Sequence, residues 1–196
     1  MRRRHLLGTL TTAAATAGGA PAAPAAWANP FLKEFHTSFT AHWKDTKEYT
    51  LNILDAMPAD GFTSKPNPEQ RTFGEQLVHL ALANAAYFRT FGLVPVPETL
   101  PMDRAMLEKT AKSADKAWVR QYVVASFDYV AAVLDKCTEA DFQRKDLKLG
   151  RTPKSHTATD VCFRAYMHTA HHRGQIVTYL RVKGITPPAW KFEPTA

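Results

Sequence analysis

Proline is placed so that it divides this chain into pieces of one kind. Its thirteen prolines leave long proline-free stretches at 31–57, 69–94, 102–152 and 154–186. Proline breaks a helix interior because it lacks an amide hydrogen and its ring clashes with the preceding turn. Each of the four stretches is therefore free to form a helix, and few runs alternate as a half-buried strand would. The first helix can begin at once, because Asn29 is a good N-cap and Pro30 suits the first helical position. Its apolar residues are Phe31, Phe35, Phe39, Trp43, Ile53 and Leu54, and Met57 precedes the terminating turn Pro58-Ala59-Asp60-Gly61.

The second helix opens on a capping box, Thr72-Phe73-Gly74-Glu75, and continues through Leu77, Leu80, Ala81, Phe88 and Phe91 to a C-cap at Gly92. It is apolar almost all round, which predicts deep burial. The loop from Leu93 to Pro101 is long enough for the chain to cross over, so the second and third helices need not be antiparallel. A short helix is expected near 103–111, and the third main helix runs through Trp118, Tyr122, Val123, Phe127, Val130 and Leu134. The polar, basic segment from Asp141 to His156 reads as a loop. The fourth helix opens with Thr157-Ala158-Thr159-Asp160, runs to about Arg181 and closes at Gly184 before Pro187-Pro188. The expected fold is all-α, a four-helix bundle.

Composition bears on function mainly through charge. The whole chain carries +7. Arg2, Arg3 and Arg4 open a segment with a modest apolar middle that ends Ala26-Trp27-Ala28, the pattern of a signal peptide over residues 1–28. Without its three arginines the remaining domain, 29–196, has a net charge of +4, too mild to argue for nucleic acid. The Arg3-Arg4 pair before a weakly hydrophobic stretch suits the twin-arginine route as well as the general one. The protein is thus expected to be exported, periplasmic or secreted, with no membrane span. Cys137 and Cys162 lie in helical patterns with apolar neighbours, which favours two buried free thiols over a disulfide.

Histidine carries the chemistry. His168, His171 and His172 fall on the fourth helix, and His168 and His172 share a face one turn apart, a standard way to present two imidazoles to one metal ion. His171 competes as the i+3 partner. The stripe of His172 also holds Ala165, Ile176 and Tyr179 and points inward, whereas that of His171 holds Arg164, Gln175 and Thr178. His172 is therefore assigned to the metal and His171 to its rim. His79, among Val78, Leu80 and Leu82 on the buried second helix, is the third candidate, since a metal bond and one hydrogen bond would satisfy both of its nitrogens. Antiparallel packing of the second and fourth helices would bring these levels together. Glu75, one turn before His79, is a candidate base or fourth ligand whose capping role explains it without chemistry. His36, His42 and His156 read as peripheral.

The run His168-Thr169-Ala170-His171-His172-Arg173-Gly174-Gln175 resembles the H-x-x-x-H-R-G-Q motif of the DinB-like superfamily. Tyr179 to Pro188 is similar to that family's ending, and Lys65-Pro66 with Thr72 to His79 resembles its second-helix motif, so the resemblance spans roughly 31–190. It implies an up-down-down-up bundle with a metal on His79, His168 and His172. Many relatives carry a further histidine one turn before the pair, where this chain has Arg164. Three imidazoles leave a coordination position open, and they suit zinc or nickel, with copper and iron also compatible. The functions that follow are a metal-dependent hydrolase or thiol transferase with Glu75 or His171 as base, a non-catalytic metal- or ligand-binding protein, and a structural bundle that binds stray ions. The substrate is a small molecule of unknown class, and a homodimer is carried as a further expectation.

Overall fold

The structure is a computed structural model that describes residues 27–113, 115–150 and 153–190, so residues 1–26 of the expected leader lie outside it. Four long helices make the bundle: α1 (Pro30–Ala56), α2 (Phe73–Phe88), α4 (Lys116–Lys136) and α6 (Ala158–Val182). Two short ones, α3 (Arg104–Ala111) and α5 (Glu139–Phe142), lie between them. Local chemistry sets their starts. Asn29 accepts from the Leu32 amide with Pro30 at the first position, and Thr72 and Glu75 complete their reciprocal capping box. Such caps are each worth about 1 kcal/mol. Thr157 caps α6 by accepting from the Asp160 amide. The α-helical part of α2 stops at Phe88, three residues short of expectation, and a 3₁₀ turn carries the chain to Gly92, whose φ of +70° suits a residue without Cβ.

Side-chain contacts fix the directions. Lys116, at the start of α4, donates to the carbonyls of Asp55 and Met57 at the end of α1, and Lys47 pairs with Asp128 while His36 bonds the Leu134 carbonyl. These pairs run in opposite senses, so α1 and α4 are antiparallel. Lys116 also supplies the cation that the last turn of α1 lacks. Between α2 and α6 the contacts run Arg71 with Tyr179, Gln76 with His172 and Asn84 with Thr169, again antiparallel. Phe35 meets Phe163 and Tyr49 meets Arg173, so α1 and α6 are parallel. The order is up-down-down-up, and the segment 89–115 is the crossover that lets α2 and α4 run the same way.

The core lies between all four long helices, with Trp43, Leu54, Phe73, Leu77, Leu80, Phe88, Phe127, Val130 and Leu180 all buried. Each such side chain contributes about 1.5–3 kcal/mol. The segment read as a loop between Asp141 and His156 is more ordered than that. It holds the end of α5 and a minimal antiparallel ladder, β1 (Leu147–Lys148) with β2 (Ser155–His156). Two residues per strand are too short to show alternation, which is why the pattern was invisible. Cys137 and Cys162 are buried free thiols. Burial pushes the Cys137 thiol up to about 12 and raises that of Cys162 as well, so both stay protonated and inert. Among the described residues no helix is long and apolar enough to cross a membrane.

Candidate metal centre

The α2–α6 interface carries several polar side chains among its apolar ones. Gln76, His79 and Asn84 project from α2, and His168, Thr169 and His172 meet them from α6. Antiparallel packing brings His79 to the pair on α6: one imidazole nitrogen from each of His79, His168 and His172 lies within 4.8 Å of the other two. The ring centroids are 4.4 Å apart for His168 and His172, 4.6 Å for His79 and His172, and 5.2 Å for His79 and His168. Below this cluster the Thr169 hydroxyl donates to Asn84 Oδ1 at 2.8 Å and locks the register of the two helices.

Burial distinguishes His171 from His172. His172 is buried with Ala165, Ile176 and Tyr179, and His171 is exposed. The ring of His172 is also held. Its Nδ1 lies 3.0 Å from Gln76 Oε1 and 3.1 Å from Gln175 Oε1, both acceptors, so Nδ1 carries the proton and Nε2 keeps its lone pair. This is the arrangement a metal-binding imidazole uses. His168 tells the same story from the other side, because its Nδ1 is buried with no hydrogen-bond partner among the described residues. A buried imidazole nitrogen left unpaired beside two other imidazoles fits a site built for an ion. A set of neutral imidazoles suits a first-row divalent ion such as zinc, nickel, copper or iron.

Compared with models of known protein families, the chain matches the DinB family over residues 32–195. It belongs to the DinB family. Among solved structures, a DinB-like protein from Bacillus subtilis is 15% identical, with a TM-score of 0.60 over 80% of this chain and 99% of its own. A DinB-like protein from Bacillus cereus is 22% identical, with a TM-score of 0.57 over 77% of this chain and 94% of its own. At these identities the likeness shows the fold. A search of curated proteins found no match.

Electrostatics prepare the DinB-family triad for a cation. Burial first, then the nearby Arg71 charge, takes His79 down to about 3. Burial and the neighbouring His168 and His171 take His172 down to about 4, and burial lowers His168 too. The three rings are neutral at physiological pH, the state a metal requires. A cleft of about 830 Å³ reaches the site, with His79, His171 and His172 in its wall beside Arg71 and Glu75. A second cleft of about 480 Å³ lies on the far side of His79, toward Tyr87, His156 and Arg164.

The remaining histidines and candidates take other places. Arg164, at the position of the further histidine of many relatives, pairs with Asp160 and leaves the triad as three. His156 bonds the same Asp160, so Asp160 serves two partners besides its place at the start of α6. His36 ties α1 to α4, and His42 lines a small hollow between α1 and α6 with Arg173. Glu75 gives one carboxylate oxygen to the Thr72 amide at 2.7 Å, and its other oxygen has no hydrogen bond among the described residues. Gln76 and Arg71 also line the cleft, and neither stood out in the sequence as a site residue. The available signal was Gln76 itself, a polar residue one turn before His79 on a helix otherwise apolar enough to be buried.

Proposed function

We propose that this DinB-family protein holds one divalent ion, zinc or nickel, on His79, His168 and His172 and acts on a small substrate in the adjoining cleft, by hydrolysis or thiol transfer. The observation that carries this reading is the cleft at the triad. Structural zinc sites are usually closed by four protein ligands, whereas sites that do chemistry keep a position open. The cluster here contains three histidines, and a cleft of about 830 Å³ leads to it. When bound, such an ion supplies Lewis acidity, lowering the pKa of a water or thiol.

The chain's own residues supply the rest. Gln76 and Gln175 orient His172. The Gln175 amide donates to His171 Nε2 at 3.1 Å, which leaves the proton of a neutral His171 on Nδ1 and makes that ring a hydrogen-bond donor on the cleft wall. Glu75 keeps one carboxylate oxygen without a hydrogen bond among the described residues. His171 thus suits the acid role and Glu75 the base role. The test is ion content. Protein purified without a nickel column and reconstituted with zinc is expected to hold about one ion per chain, and less than a tenth of that would overturn the reading.

We further infer that residues 1–28 direct export. The Asn29 amide donates to Glu139 Oε2 at 2.9 Å, so an amino terminus formed at Asn29 would meet a carboxylate. The same cleavage gives up the stacking of Trp27 on His36. Arg3→Lys with Arg4→Lys is expected to block export through the twin-arginine route. Normal processing and export of the double variant would assign the general route instead.

A further inference from the structure

We propose that Arg71 anchors the substrate's acid group, and hence that the substrate is a small organic carboxylate bound between Arg71 and the histidine triad. The proposal rests on the ion-binding reading above and adds the substrate class to it. Arg71 is half-buried in the wall of the same cleft as His79 and His172. Its backbone is fixed on both sides. The Tyr179 hydroxyl donates to its carbonyl at 2.5 Å, and the next residue, Thr72, is locked in the capping box. Gln76, one turn into the helix that Thr72 caps, lies 3.0 Å from His172 Nδ1, so Arg71 and the triad depend on the same end of α2.

The guanidinium itself makes no hydrogen bond or ion pair among the described residues, although Glu69, Glu75 and Glu108 line the same cleft. Glu108 is engaged by Arg104 at 2.8 Å, and one oxygen of Glu75 accepts from the Thr72 amide. A guanidinium with five donors and no protein acceptor is served by water in the cleft, or by a ligand that displaces that water. A carboxylate matches its fork two-to-two. Val78, Leu82 and Leu107 give the cleft an apolar side for the body of such a molecule. Lys109 and Lys112 stand exposed at the rim, where solvation and salt screen them.

The probe is benzoate, with benzamide as its uncharged isostere, titrated calorimetrically into zinc-loaded and metal-free protein. Benzoate is expected to bind, Arg71→Gln to weaken it at least tenfold, and Arg71→Lys to recover only part of the loss because a single ammonium lacks the fork. Lys109→Gln is expected to change the affinity less than twofold, and benzamide binding is expected not to depend on Arg71. Arg71→Lys keeps the charge and most of the stem, so it reads the fork even where Arg71→Gln fails to fold. Benzoate affinity within twofold of wild type in a folded Arg71→Gln would overturn the proposal, as would tighter Arg71-dependent binding of inorganic phosphate. Zinc content separates the two readings. One zinc per chain with Arg71-independent benzoate binding sinks the anchor alone, whereas Arg71-dependent binding in a chain that takes up no zinc sinks the ion site and keeps the anchor.

Discussion

Zinc binding is expected to fall more than a hundredfold in His172→Ala and in His168→Ala, while His171→Ala keeps its ion. Each triad member would supply one of three nitrogen donors, and among the described residues no fourth side chain joins the cluster. Loss of a supporting residue around a metal costs roughly 10–100-fold in affinity, and loss of a ligand costs more. Gln76→Leu belongs to the supporting class. It removes the acceptor that fixes the proton on His172 Nδ1, while Gln175 still offers a second acceptor at 3.1 Å, so a loss near the lower end of that range is expected. The measurement is chelator competition on each purified variant, with ion content by elemental analysis. The contrast between His171 and His172 is the sharp part, because the two are adjacent in sequence and differ in which way they face. Equal zinc in wild type, His168→Ala and His172→Ala would remove the site assignment.

That contrast was legible before any coordinates because periodicity carries it. Ala165, His172, Ile176 and Tyr179 share an inward stripe, and all four are buried. The helix starts were legible for the same kind of reason: Asn29, Thr72 and Thr157 are short polar residues placed where a helix leaves amides unpaired, and all three accept as N-caps. The direction of each helix was not a property of periodicity. It came only with the family resemblance, and it rests physically on pairs distant in sequence, such as Lys116 with the end of α1. The β1–β2 ladder was missed because two-residue strands carry no period. Arg71 was missed for a different reason. An arginine before an N-cap reads as an ordinary surface charge, and its importance depends on the cleft wall it joins and on how the acids of that wall are paired. Those pairings are set by tertiary structure.

Metal-free protein is expected to lose stability as the pH falls from 7 to 5, and zinc-loaded protein is expected to keep its ion across the same range. The sign follows from proton counts. In the unfolded chain these histidines titrate near 6.5, whereas in the folded chain His79 lies at about 3, His172 at about 4, and His168 is lowered as well. Below about 6.5 the unfolded state therefore binds more protons than the folded one, so stability is full above that value and drains away as pH falls toward the folded values. Each histidine contributes a slope of at most about 1.4 kcal/mol per pH unit. Carboxylates with lowered values, such as Asp160 beside Arg164 and His156, add their own loss only in the acid range below, so the window from 7 to 5 isolates the histidines. Urea melts of chelator-treated protein at pH 7.5, 6 and 5 measure it, and His79→Gln is expected to flatten the slope. The same lowered values protect the ion. An ordinary imidazole is protonated about 30-fold over at pH 5, but His79 and His172 remain neutral there, so protons do not compete for those two nitrogens. Flat stability of the metal-free protein from pH 7 to 5 would mean that the three rings are solvated like free histidine, and a triad solvated in that way would also shed its zinc at pH 5.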